Sequence, residues 1–147
     1  MKRKEFLRSL GVGAAFALTF PCVQGCSKSD DVEGEIKEVP NNVDFTVDLN
    51  STEAANLASE GGFILKNDVV IAKNLEGNFV AASQICSHQG YDQVRFQNID
   101  GGIFYCDVHG SRFEQDGTPL NKVDANPAKA LKVYMVEESD GILRIFE

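Results

Sequence analysis

The sequence predicts a small, all-β, antiparallel fold. Three observations carry this reading. From Phe63 onward the apolar segments are short and rich in Val, Ile and Phe, a length and composition that favour strands over helices. Turn residues separate them at regular intervals, as Asn67-Asp68, Glu76-Gly77, Asp100-Gly101-Gly102 and Asp140-Gly141, the punctuation of hairpins. One stretch alone, Ser51 to Glu60, has helical character. Ser51 or Thr52 could cap it and Gly61-Gly62 ends it, so a short turn at most is expected.

Residues 1–26 read as an export signal rather than as part of the fold. Lys2, Arg3, Lys4 and Arg8 form a basic region, Leu10 to Phe20 an apolar core, and Pro21 follows. That apolar core falls well short of the ~20 residues that span a bilayer. Arg3-Lys4-Glu5-Phe6-Leu7-Arg8 resembles the twin-arginine export motif, with Lys4 in place of the second arginine. Val23-Gln24-Gly25-Cys26 resembles a bacterial lipobox, which implies cleavage before Cys26 and its lipidation. Residues 27–42 carry Asp30, Asp31, Glu33, Glu35 and Glu38 and end in Pro40-Asn41-Asn42. With little apolar area to bury, they are expected to form a flexible acidic tether, holding the domain on the order of 20 Å from the lipid.

The folded domain is expected over residues 43–147. Val43, Phe45, Val47 and Leu49 alternate with polar residues as a strand does. Strands are then expected at Phe63 to Leu65, Val69 to Lys73, Asn78 to Ala82, Val94 to Gln97, Ile103 to Tyr105, Thr118 to Leu120, Leu131 to Glu137 and Ile142 to Phe146.

The formal charge is −8. From Cys26 onward, 10 Lys and Arg face 21 Asp and Glu, a net −11. This argues against nucleic-acid binding and suits steering of a basic protein partner. There are four cysteines. Cys22 and Cys26 lie at the end of the leader, leaving Cys86 and Cys106 in the domain.

Those two cysteines open the most informative stretch. Cys86-Ser87-His88-Gln89-Gly90 is one box, and Cys106-Asp107-Val108-His109-Gly110-Ser111-Arg112-Phe113 is the other. Seventeen residues separate His88 from Cys106, and the chain has no other histidines. Two soft thiolates and two imidazoles on two loops can hold a tetrahedral zinc. They can equally hold a two-iron cluster in which one iron takes both cysteines and the other both histidines. A Cys86–Cys106 disulfide with ordinary loop histidines is the plainest alternative. Gly90 and Gly110 follow the histidines closely, where the backbone must curl without a side chain in the way. Successive N–H groups in such curls can point at anionic acceptors such as sulfide.

The two boxes resemble those of the Rieske [2Fe–2S] family, and the likeness continues through Asp116-Gly117, Asn126-Pro127-Ala128 and Leu131. The resemblance spans roughly residues 43–147. It implies a β base carrying a cluster-binding subdomain at its tip. It also implies one [2Fe–2S] cluster per subunit, with Cys86 and Cys106 on the buried iron and His88 and His109 on the outer one. The second ring nitrogen of each histidine would then face solvent or a partner. Ser111 matches a family serine that hydrogen-bonds a bridging sulfide. Gly90 and Gly110 would line the cluster with N–H groups, and Pro127 would lie in the loop that covers it.

The departures from the family pattern are as informative. Quinol-oxidising members carry an extra disulfide-bonded cysteine in each box, where this chain has Tyr91 and Val108. They place a tyrosine where Phe113 stands, and proline is common where Asp107 stands. All three changes disfavour the reduced state, so the potential is expected in the lower half of the family's span, below about +100 mV. The resulting expectation is an electron-transfer protein rather than an enzyme: an exported, lipid-anchored one-electron carrier. It would have a redox protein partner and no small-molecule substrate of its own. The alternatives are an electron-transfer subunit of a larger cytochrome bc-type or molybdenum oxidoreductase, and a structural zinc module.

Overall fold

The computed structural model describes residues 34–147. The expected signal, Cys26 and the first part of the expected tether lie outside the described residues. Nine strands are present among the described residues: β1 (Asp44–Asp48), β2 (Phe63–Lys66), β3 (Val69–Lys73), β4 (Phe79–Ser83), β5 (Val94–Gln97), β6 (Ile103–Cys106), β7 (Ser111–Phe113), β8 (Val133–Ser139) and β9 (Ile142–Phe146). A single 3-10 turn, Ala55–Ala58, is the short helical element expected between Ser51 and Glu60.

The strands form two antiparallel sheets. The larger has six strands in the order β1-β9-β8-β4-β3-β2, and the smaller has three in the order β5-β6-β7. The β2–β3 and β8–β9 hairpins close through two-residue turns, Asn67-Asp68 and Asp140-Gly141. All four turn residues have positive φ, the type I′ geometry whose twist matches that of paired strands. Strand β8 pairs with β4 only at Val133 and Tyr134, then turns its remaining length to β9.

Strand β3 explains how the two sheets share one molecule. Its run Val69-Val70-Ile71-Ala72 is fully buried, because both faces of the strand are covered. Val69 and Ile71 face a base core with Val47, Leu57, Ile64, Leu143 and Ile145. Val70 and Ala72 face a second core with Val94, Phe96, Phe104, Phe113 and Leu131. Such a two-sided strand reads as a continuous apolar run rather than an alternation. The second core includes Cys86 and Cys106, so the thiols are set into packed hydrophobic structure.

Two expectations are corrected. Thr118 to Leu120 makes only an isolated bridge, Phe113 with Pro119, because proline has no N–H to extend a ladder. The second concerns the tether, which stops earlier than residue 42. The Lys37 N–H donates to the Gly90 carbonyl at 2.8 Å, and the Asp92 N–H donates to the Glu35 carbonyl at 2.9 Å. Ile36 and Tyr91 form an antiparallel bridge, and the Lys37 ammonium lies 3.1 Å from Asp68 and 3.2 Å from Asp92. The Pro40 carbonyl accepts bonds from the Lys132 ammonium and the Tyr134 hydroxyl. This segment attaches through backbone bonds and ion pairs while Ile36 stays 68% exposed, so a reading based on apolar burial could not see it.

Candidate metal centre

Each box is a loop closed on itself. The Gly90 N–H bonds the Cys86 carbonyl at 2.9 Å, and the Gly110 N–H bonds the Cys106 carbonyl at 3.0 Å. Both glycines have positive φ, 75° and 77°, which a side chain would resist. This corrects the expectation that their own N–H groups face a cluster: they are spent on closing the turn. The N–H groups inside the turns are the ones aimed at sulfur, from His88 toward Cys86 and from Val108 and His109 toward Cys106.

The first loop runs between β4 and β5, and the second joins β6 to β7. Both thiols are buried and neither is in a disulfide. The neighbouring Cys106 thiol, more than the His88 N–H and the Ser111 hydroxyl, pulls Cys86 below its ordinary value against the cost of burial. The proximity of Cys86 and burial push Cys106 upward. The protein thus gathers donors around one sulfur of a buried pair, Cys86, while the other stays a neutral thiol. Ser111 is itself buried and reaches toward the cysteine side of the site.

The imidazoles form the outer pair. Their ring centroids are 4.9 Å apart and nearly perpendicular. Nδ1 of His88 is buried with no hydrogen-bond partner. An orphaned buried nitrogen is costly unless something fills the role, and a metal ion would. Nε2 of the same ring lies 2.6 Å from the Asp124 carboxylate, not free toward solvent or a partner as the resemblance implied. That contact, with the Asn126 N–H, holds the Asp124 carboxyl below its ordinary range. His109 is exposed and meets Tyr91 edge-on at 5.7 Å.

The segment from Pro119 to Ala130 crosses from one loop to the other. Asn121 donates to the Gly110 carbonyl and accepts from the Arg112 N–H, both at 2.8 Å. Asp124 meets His88, and the Lys129 carbonyl accepts from the Ser87 hydroxyl at 2.9 Å. Pro127 lies between these anchors. With His88, Ser111, Phe113 and Asp124 it lines a cleft of about 360 Å³ beside the centre.

Sequence reading singled out the four ligand candidates, Ser111 and the proline segment. It missed Asp124, Asn121 and the Ile36–Lys37 strap. Asp124 had one local signal, the Asp-x-Asn spacing, since its Oδ1 caps the Asn126 N–H at 2.8 Å. Of two further residues in the boxes, Gln89 is exposed, whereas Arg112 pairs with Asp100.

Among the described residues, no three Cys, His, Asp or Glu side chains converge on one point. The donors come instead as a thiol pair and an imidazole pair, which suits two metal ions rather than one. Such a donor set fits the mixed ligation of an iron–sulfur cluster. The family comparison agrees: the model of the Rieske [2Fe–2S] domain matches residues 32–135. The chain belongs to the Rieske [2Fe–2S] family, its cofactor is a [2Fe–2S] cluster, and its domain is one for electron transfer.

Solved structures similar to it include the plasma-membrane Rieske protein PetC3 of the cyanobacterium Synechocystis PCC 6803. Identity is 26% over 63% of this chain and 93% of that one, with a TM-score of 0.48. Another is the reduced complex between oxygenase and ferredoxin in carbazole 1,9a-dioxygenase, at 16% identity over 74% of this chain, with a TM-score of 0.54. A third is the terminal oxygenase of carbazole 1,9a-dioxygenase from Nocardioides aromaticivorans IC177, at 21% identity over 60% of this chain, with a TM-score of 0.49. This chain spans 29% and 27% of the chains matched in those last two structures. No curated protein matches the chain. No helix of the described residues is long and apolar enough to cross a membrane.

Proposed function

We propose that this protein is an exported, lipid-anchored one-electron carrier that serves a redox protein partner outside the cytoplasm, without a substrate or catalytic step of its own. Cys86 and Cys106 would hold one iron of the cluster, and His88, through Nδ1, and His109 would hold the other. The observation that carries the ligand assignment is the unpartnered Nδ1 of His88, buried beside the second imidazole. When bound, the cluster takes up and releases a single electron. The chain's own residues do the rest. The thiol pair sits in the second core, which excludes water, while His109 presents an exposed edge through which a partner can be reached. The segment bearing Pro127 covers the flank of the centre and keeps the two ligand loops at a fixed separation. Rigidly held ligands keep the rearrangement that accompanies a change of charge small.

The leader supports the finer part of the reading. A basic stretch, an apolar core and Val23-Gln24-Gly25-Cys26 together suit export followed by lipidation at Cys26. The acidic surface suits a basic partner, with association that weakens as salt rises. Tyr91, Val108, Phe113 and Asp107 suit a potential below about +100 mV, in the lower half of the family's span.

Purified protein should be brown, with a rhombic reduced-state EPR signal. His88→Ala and His109→Ala should each abolish the mixed-ligand visible spectrum. Retention of the wild-type spectrum by either variant would end the ligand assignment. Cys26→Ser should move the protein from the membrane fraction to the soluble one, and an unchanged distribution would remove the anchor.

A further inference from the structure

The two imidazoles are chemically unequal, and the inequality is built by a residue outside both ligand boxes. The Asp124 Oδ2 lies 2.6 Å from Nε2 of His88. The carboxylate is fixed in place: its Oδ1 accepts the Asn126 N–H at 2.8 Å, and the Asn126 side-chain amide reaches Oδ2 at 3.3 Å. The His88 side chain is 15% exposed and that of Asp124 34%, so the contact is only partly open to water. His109 is instead an exposed residue, its ring packed edge-on against His88 and Tyr91.

We infer that Asp124 is a positioning residue that sets the reduction potential through His88, leaving His109 as the open imidazole for exchange with a partner. The inference rests on His88 being a ligand through Nδ1. An acceptor on Nε2 fixes the tautomer that carries hydrogen there and leaves the Nδ1 lone pair free. A carboxylate acceptor also pushes electron density across the ring and makes Nδ1 a stronger donor, as carboxylate partners of ligating histidines do. It places a fixed negative charge against one ligand as well. Both effects favour the more positive, oxidised state of the centre. Reduction adds one electron and no bond is made or broken in the protein, so the effect is read directly in the reduction equilibrium. The same contact closes the His88 edge to a docking protein, whereas the His109 edge stays uncovered.

Asp124→Asn tests this in the full-length protein. Asparagine can keep the bond to the Asn126 N–H through its carbonyl, which turns its amide against His88 and removes the acceptor. The variant should assemble the cluster with a wild-type visible spectrum. Voltammetry should show the equilibrium shifted three- to tenfold toward the reduced form, tenfold being 59 mV for one electron. Pulsed EPR of the reduced wild type should give two unequal histidine-nitrogen couplings, which move closer together in Asp124→Asn. Asp107→Asn is the control, since it removes a charge from the loop of His109. It should shift the potential less and leave the couplings alone.

An Asp124→Asn protein with unchanged potential and couplings overturns the proposal, as does an equal shift in Asp107→Asn. A wild type without histidine-nitrogen couplings instead overturns the ligand assignment. Should Asp124→Asn fail to assemble, Asn126→Ala decides. It removes the amide that competes for Oδ2 and should shift the equilibrium slightly toward the oxidised form. No shift, or one in the opposite direction, overturns the proposal.

Discussion

The two ligand loops are near copies inside and unlike outside. Each is a cysteine followed four residues later by a left-handed glycine whose N–H closes the turn on the cysteine carbonyl. Around the first loop the chain adds the Ile36–Lys37 strap, the Ser87 bond to Lys129 and the Asp124 carboxylate on His88. Around the second it adds Asn121, which holds the backbone at Gly110 and Arg112 and leaves His109 exposed. The lesson is a division of labour: a local motif shapes each loop, and non-local contacts set the surroundings of the histidine it carries.

The glycines offer the largest contrast. Replacement by alanine strains the left-handed backbone at either site, by about 1–2 kcal/mol. At Gly90 the new Cβ would also lie 3.2 Å from the Lys37 carbonyl and 3.3 Å from the Ile36 side chain, whereas at Gly110 the nearest atom is the Tyr105 hydroxyl at 3.8 Å. Gly90→Ala should therefore cost roughly 1 kcal/mol more than Gly110→Ala, the low end of an overpacking penalty. Urea unfolding of the two variants measures the difference, and equal midpoints would mean that the strap yields freely.

A smaller effect probes the second loop. Asn121→Ala removes two hydrogen bonds at an exposed site, about 1 kcal/mol in all. Hydrogen exchange should quicken at Arg112, whose N–H the Asn121 side chain accepts, and stay unchanged at Asp92 and Lys37, which hold the first loop. Faster exchange at both loops would show that they are not independently supported.

The smallest concerns acid. The bond from Lys132, more than that from the Asn42 N–H, holds the Glu147 carboxyl below its ordinary value of 4.5. A depressed carboxyl stabilises the fold fully above its unfolded value, and that contribution is lost as pH falls through the lower folded one. Exchange at the Asn42 amide should therefore rise, relative to its intrinsic rate, only as pH drops below about 4.5. Protection that is constant down to the acid transition would show that Glu147 does not hold the base of the strap.

Much of this was readable in the chain because its chemistry is local. The four ligand candidates sit in two boxes, the hairpin turns are dipeptides, and β3 announces itself as an unbroken apolar run. Three things were not readable, each for a physical reason. The His88–Asp124 contact joins residues 36 positions apart, which no periodicity reports. The strap pairs backbone with backbone, so composition marks it as polar and unstructured. Thr118 to Leu120 has the composition of a strand, but Pro119 lacks the donor that a ladder needs.

The strap also gives the molecule a mechanical character. The bridge between Ile36 and Tyr91 is antiparallel, with its hydrogen bonds lying across the direction of the chain. Tension drawn along the backbone through Ile36 would load those bonds together, in shear, rather than peel them apart one by one. The first structure to feel it would be the turn that ends at Gly90. Tension entering at Ile36 would thus reach that turn before it reaches the body of the sheet.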